Sequence, residues 1–190
     1  MKHQNNLFML LGNPIRMIKM NPMRKIRIEK LTLNVGAGTD QDVLKKGMKL
    51  LKNLTGIEPV KTVSNKRIPA WGVRPGLPVG CKLTLRSAAV IPLVKRLLMA
   101  KENKLPDSSF DKEGNVSFGI HEYINVPDLA YDPSIGIMGF QACITLKRPG
   151  MRIKYRRRQN RRIGISHRIG KEESIKFFKD TFKVHVEELK

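Results

Sequence analysis

A chain of 190 residues with 41% hydrophobic content can bury one ordinary core, and its 37 Lys and Arg against 16 Asp and Glu leave a formal charge of +21. No apolar run approaches the roughly 20 residues that span a bilayer, so the charge points to nucleic acid and excludes a spanning role. Cys81 and Cys143 stand far apart without Cys-x-x-Cys spacing, which argues against zinc or a disulfide framework and fits small core residues of a reducing compartment.

Residues 1–20 show no convincing period and form a leader expected to be poorly ordered, with Met17, Met20 and Met23 as alternative starts. From Ile26 the pattern becomes that of a strand in two phases, Ile26 and Ile28, then Leu31, Leu33 and Val35, broken at Glu29–Lys30 by a bulge. Gly36-Ala37-Gly38 ends it. Thr39 with Asp42 three positions on has capping-box spacing and predicts a helix over QDVLKKGMKLLKNL, with Val43, Gly47, Leu50, Leu51 and Leu54 inward and Gly56 as its stop. Strand, Gly-x-Gly and helix also begin a dinucleotide-binding turn, but Gln41 stands where the third glycine belongs and Glu58 does not end a strand. The glycines more simply allow a tight turn whose helix N-terminal amides are open to an RNA phosphate.

Val60–Ser64 reads as a short strand, followed by a Gly- and Pro-rich loop that carries Lys66, Arg67, Trp71 and Arg74. Trp71 is either a loop anchor or a platform for a base. Val79, Cys81, Leu83 and Leu85 alternate with Gly80, Lys82, Thr84 and Arg86, a half-buried strand with cations on its other face. Ser87 is expected to cap a helix running to Lys104, with Leu93, Val94, Leu97 and Leu98 inward; SFGIHEYINV and MGFQACITLK supply two more strands.

Between Asp132 and Glu172 there is no carboxylate, yet Arg148–Lys171 holds ten Lys and Arg. Like charges this dense need a polyanion, and Arg148, Arg152, Lys154, Arg156, Arg157, Arg158, Arg161, Arg162 and Arg168 are the candidate phosphate contacts. The block lies before a helix over Lys171–Phe182, with Ile175, Phe178 and Phe182 inward and a last short strand at Val184–Val186, so it is expected to be an RNA-ordered loop. His3, His121, His167 and His185 share no ligand spacing and no Gly-rich lysine loop appears, so no catalysis and no cofactor are expected. Two rivals remain: an RNA-processing or nucleotide-using enzyme, suggested by Gly36-Ala37-Gly38, and a nonspecific nucleic-acid condenser.

Taken together, NPMRKIRIEKLTLNVGAG, LTGIEPVKTVSNKRIPAWGVRPGLPVGCKLTLR, SFDKEGNVSFGIHEYI, YDPSIGIMGF and RPGMRIKYRRR with HRIGKEESIKFF resemble, in this order, the large-subunit ribosomal protein five family. The Arg-rich tract looks like its archaeal branch. The resemblance implies an α+β fold: a single compact domain over 21–190, an antiparallel sheet packed on helices, and a long basic loop at 148–171. It implies a cytoplasmic, ribosomal role, binding 5S rRNA and large-subunit rRNA, seating 5S rRNA in the central protuberance, and touching P-site tRNA, neighbouring ribosomal proteins and a small-subunit bridge protein. By the same resemblance Asn34, Gly36, Gly38, Lys61, Ser64, Asn65, Lys66 and Arg67 fall on the 5S rRNA side, and Trp71, Gly72, Arg74 and Gly76 on a tip toward tRNA. The chain departs from the family pattern at Ile57, where relatives often carry Gln, and at Ser87, where they carry Gly.

Overall fold

Alternation in the first long strand sets the architecture. In the computed structural model, which describes residues 21–86 and 89–187, strand β1 (Arg27–Gly36) buries Leu31, Leu33 and Val35 on one side and turns Lys30, Thr32 and Asn34 to the other. The leader 1–20 and the cap expected at Ser87 lie outside the described residues. With β2 (Val60–Val63), β3 (Pro78–Leu85), β5 (Val116–Ile120) and β6 (Phe140–Lys147), β1 forms a five-stranded antiparallel sheet in the order β2-β3-β1-β6-β5. The α+β class follows, and the bulge expected at Glu29–Lys30 appears as a register shift between Ile28 and Lys30.

Among the described residues, helices pack on one face of this sheet. On α1 (Gln41–Thr55), Gly47 lets the backbone approach so closely that an added Cβ would stand 2.9 Å from Val35 Cγ1 and 3.4 Å from Cys81 Sγ. Helix α2 (Val90–Met99) brings Val90, Leu93, Val94, Leu97 and Leu98 into the same core. A second, two-stranded sheet pairs β4 (Lys104–Pro106) in parallel with β7 (His185–Glu187). Helix α4 (Lys171–Phe182) adds Phe178, which meets the Phe110 ring edge-on at 5.8 Å, and Ser174, whose buried hydroxyl donates to Gly114 O at 3.0 Å.

The structure corrects several local readings. The N-cap of α1 is Asp40, not Thr39: its carboxylate accepts from the amides of Asp42 and Val43 at 2.9 and 3.4 Å. Those amides are therefore occupied and flanked by two carboxylates, so this helix end is not open to a phosphate. Leu44 takes the inward place assigned to Val43. Helix α2 stops at Met99 instead of Lys104, because Glu102 and Asn103 adopt left-handed backbone (φ 54° and 56°) and turn the chain into β4. Strand β5 ends at Ile120, short of the expected Val126, where a 3-10 turn at Tyr123–Asn125 buries Tyr123.

Tyr123 fastens the long β5–β6 connection, for its hydroxyl accepts from Asp132 N at 2.9 Å. The Asp132 carboxylate meets Lys49 Nζ on α1 at 2.7 Å and accepts from Ser134 N and Oγ. Hydrogen bonds from Lys49 and then Ser134 lower its pKa from 3.8 to about 2. A depressed carboxylate contributes stability that is complete above 3.8 and is lost as the pH falls toward about 2. Urea midpoints measured against pH should show that loss, and Asp132→Asn should remove its share of the slope in this window.

Candidate nucleic-acid interface

Among the described residues no helix packs on the second face of the five-stranded sheet, which leaves that face open to a ligand. Residues paired across antiparallel strands share a face, so register identifies what it presents. Its paired positions carry Arg27, Lys30, Thr32 and Asn34 from β1, Lys82 and Thr84 from β3, Gln141, Cys143, Thr145 and Lys147 from β6, Ser117 from β5, and Val60, Thr62 and Val63 from the edge strand β2. Four cations stand among hydroxyls and amides, with two exposed valines at the β2 edge; no carboxylate and no aromatic ring occupies a paired position, Glu29 lying in the β1 bulge. That set does not stack bases. It donates and accepts at phosphates and sugars, as RNA recognition by shape requires. Asn34 Nδ2 donates to Gln141 Oε1 at 3.3 Å, crossing from β1 to β6 and leaving Asn34 Oδ1 and the Gln141 amide for a partner.

Of the residues placed by resemblance on a 5S rRNA side, Asn34 and Gly36 lie on this face, and Gly38 lies in the turn after it. Lys61 does not: it pairs with Cys81 and stands on the helix side of the edge strand, while Thr62 takes the open face. Ser64 is held in the hairpin, its N–H donating to Leu77 O at 2.9 Å and its O accepting from Gly76 N at 2.8 Å. Asn65, Lys66 and Arg67 beyond it are exposed.

The tip that follows is built by the chain itself. Ile68 and Val73 exchange backbone hydrogen bonds of 2.9 and 3.1 Å around the 3-10 turn Pro69–Trp71, and Gly72 and Gly76 supply the positive φ of 64° and 83° that close it. Val73 is buried beneath, whereas Trp71 is 71% exposed. Trp71 is thus not a core or anchoring indole. Its ring and the exposed Arg74 face solvent together at the end of the hairpin.

In the basic block, Arg152, Lys154, Arg156, Arg157, Arg158, Arg161, Arg162 and Arg168 are exposed, but Arg148 departs from the expected surface contact. It is 5% exposed, with Nη1 donating to Arg168 O at 3.1 Å and Nη2 to Glu173 Oε1 at 2.7 Å. His167 Nε2 bonds Pro149 O at 2.9 Å in the same neck, after which the short helix α3 (Arg152–Tyr155) carries the chain out. The loop is therefore tied at its root by contacts within the protein, and its exposed cations lie beyond, Arg156 Nε donating to Gln159 O and Arg168 Nε to Ile163 O.

Arg27, Lys30, Thr62, Gln141 and Lys147 were not picked out as contacts from sequence. The signal was there in the alternation, but which strands adjoin β1 is not written in any one of them. Among the described residues no three His, Cys, Asp or Glu gather as a metal site, and no helix is long and apolar enough to cross a membrane.

Residues 21–74 match the family model described as Ribosomal protein L5, and residues 78–185 match the model for the C-terminus of the same ribosomal family. Large ribosomal subunit protein uL5 of Nanoarchaeum equitans is 46% identical over 167 residues, 87% of this chain and 98% of that protein. The protein of the same name from Sulfurisphaera tokodaii is 45% identical over 170 residues, covering 89% and 96%. That from Methanosphaera stadtmanae is 41% identical over 168 residues, covering 88% and 100%.

Proposed function

Because the chain belongs to the ribosomal protein L5 family and so is a constituent of the large ribosomal subunit, we propose that it binds 5S rRNA through the open face of its five-stranded sheet. The observation that carries this reading is the composition of that face: four cations among hydroxyls and amides, with no carboxylate at a paired position and Glu29 confined to the bulge at one end of β1. The role is noncatalytic. Asn34 and Gln141, with Asn65–Arg67 at the sheet's edge, supply selective contacts, and the exposed cations of the basic loop hold large-subunit rRNA. Together they help seat 5S rRNA in the central protuberance. The Trp71–Gly76 tip reaches P-site tRNA, and neighbouring ribosomal proteins, a small-subunit bridge protein among them, complete the partners.

Filter binding to 5S rRNA and to an unrelated RNA of equal length, over a salt series, tests the selective claim; equal affinity throughout would sink it. Thiol alkylation tests the location. Cys143 lies on the open face between Thr32 and Ser117, whereas Cys81 is fully buried and burial pushes its thiol pKa up. Bound 5S rRNA is expected to slow alkylation of Cys143 by about tenfold or more, a factor that corresponds to strong occlusion by a wet interface, while Cys81 stays unreactive in both states. An unchanged Cys143 rate in a saturated complex places the RNA elsewhere.

A further inference from the structure

Away from the open face of the sheet, a cavity of about 400 Å³ lies between the basic loop and the turn that enters β5. Pockets that hold small ligands begin at roughly 300 Å³. The turn is well fastened: Gly114 N donates to Asp111 O at 3.0 Å, the Asp111 carboxylate accepts from Lys112 N at 2.7 Å, and the buried Ser174 hydroxyl donates to Gly114 O. It brings Lys112 and Glu113 to the cavity, and the loop brings Lys154, Arg161, Arg162 and Arg168, all of them exposed. Arg168 Nε donates to Ile163 O at 3.3 Å, which fixes the side chain and leaves its terminal nitrogens for a ligand. The floor is apolar, with Met151 and Ile163 half-buried and Ile169 buried. Five cations and one carboxylate share this space, yet among the described residues Glu113 forms no ion pair with any of them. An acceptor and a cluster of donors are thus both left for a ligand, and a simple anion satisfies only the donors.

We propose that this cavity is a subsite for one unstacked guanosine of an RNA strand, its phosphate held by the loop arginines and its base lying on the apolar floor. Guanine is the base whose Watson–Crick edge sets two donors side by side, the ring N–H and the amino group, and a carboxylate accepts from both at once. Glu113 supplies that carboxylate. Adenine and cytosine present one amino group beside an acceptor nitrogen, which Glu113 repels, and uracil presents one N–H between two carbonyls. Met151, Ile163 and Ile169 keep water from the face of the base, and the lower local dielectric strengthens the bonds at its edge. The exposed Arg156, Arg157 and Arg158 belong to the same loop, so a strand gains flanking phosphate contacts that a free nucleotide lacks. The subsite rests on the rRNA-binding reading of the loop but not on the open face of the sheet. It gives the loop a choice of base, where its other cations add affinity alone.

The test is NMR titration of the intact protein, labelled at its Met and Ile methyls, with single-stranded UUGU, UUAU and UUUU, with guanosine monophosphate and with inorganic phosphate. Met151→Leu and Ile163→Val identify the floor signals, which the ring current of a base moves and a phosphate on the exposed arginines does not. UUGU is expected to shift them saturably and the other two strands to bind about tenfold more weakly, as for one bidentate base contact. Guanosine monophosphate should reach the same floor signals with lower affinity than UUGU. Glu113→Gln, at an exposed residue, should bring UUGU to the level of UUAU, whereas Arg161→Gln with Arg162→Gln should weaken all three strands alike. Floor methyls that stay put while the RNA saturates the arginines overturn the subsite, and so do equal affinities for the three strands. Guanosine monophosphate binding as tightly as UUGU, or equal shifts with phosphate, also overturns it. Filter binding to 5S rRNA is read separately: its loss condemns the earlier reading, and its retention with silent floor methyls condemns only this one.

Discussion

Replacing Arg156, Arg157 and Arg158 with glutamine is expected to weaken RNA binding about 100-fold near physiological salt, and to make the slope of log affinity against log salt shallower by about 2 to 3. All three are exposed, and among the described residues only Arg156 bonds back to the protein, through Nε alone to Gln159 O at 2.9 Å, so each keeps donors to replace condensed counterions. The preference for 5S rRNA over an unrelated RNA should change little. The converse change, Asn34→Ala, removes the amide that bridges β1 to β6 on the open face and should erode preference while leaving the salt slope nearly intact. If the arginine triplet alone abolished the preference, selective contact would belong to the loop and the sheet would be its scaffold.

Glu173→Ala is expected to cost about 2 to 4 kcal/mol of stability, because it strands the Arg148 guanidinium inside the protein without its counter-charge. Exposure of the two partners is unequal, 5% for the Arg148 side chain and 46% for that of Glu173, so removing the glutamate does more harm than its own surroundings suggest. At this chain length the melting temperature should fall by roughly 10 °C. Burial raises the pKa of Glu173, but hydrogen bonds from Arg148 and from the Gly170 amide, with the charges of Arg148 and Arg24, hold it below its ordinary 4.5. The sign follows: the pair's contribution is complete above pH 4.5 and fades as the pH drops beneath it. In Glu173→Ala that part of the acid dependence should vanish, and calorimetry from pH 7 to pH 3 would show it. The same change should loosen the root of the basic loop, which Arg148, Arg168 and Glu173 tie together.

Strictly local features were legible in the sequence. The bulge after Ile28, the stop at Gly56 and both ends of α4 come from two-residue and helical periods, and from residues whose backbone preferences act within a turn. The faults lie where neighbours compete or where tertiary pairing decides. Asp40 and Thr39 both suit an N-cap, and only the turn geometry after Gly38 selects between them. Arg148 opens an arginine-rich run and looks like the rest of it, but it lies one position past the end of β6 and opposite Glu173, so packing draws it inward. The side of the edge strand that Lys61 takes is likewise set by its pairing with Cys81, which no local pattern shows. The open face itself is spread over five strands, so the gathering of its cations and hydroxyls shows only once the strands are put in order.

The position of β1 has a temporal consequence. Among the described residues it is the first strand to be synthesised and the central one in the sheet, yet its partner β6 comes late, Asn34 and Gln141 meeting across 107 positions. A nascent chain halted before Phe140 can pair β1 only with β3, leaving the other edge of β1 as a bare template for foreign strands. Such halted chains are expected to fail in 5S rRNA pull-downs where the released protein succeeds. Under the proposed reading, binding would then begin only once β6 has been made and paired with β1, so that a product truncated before it does not tie up RNA.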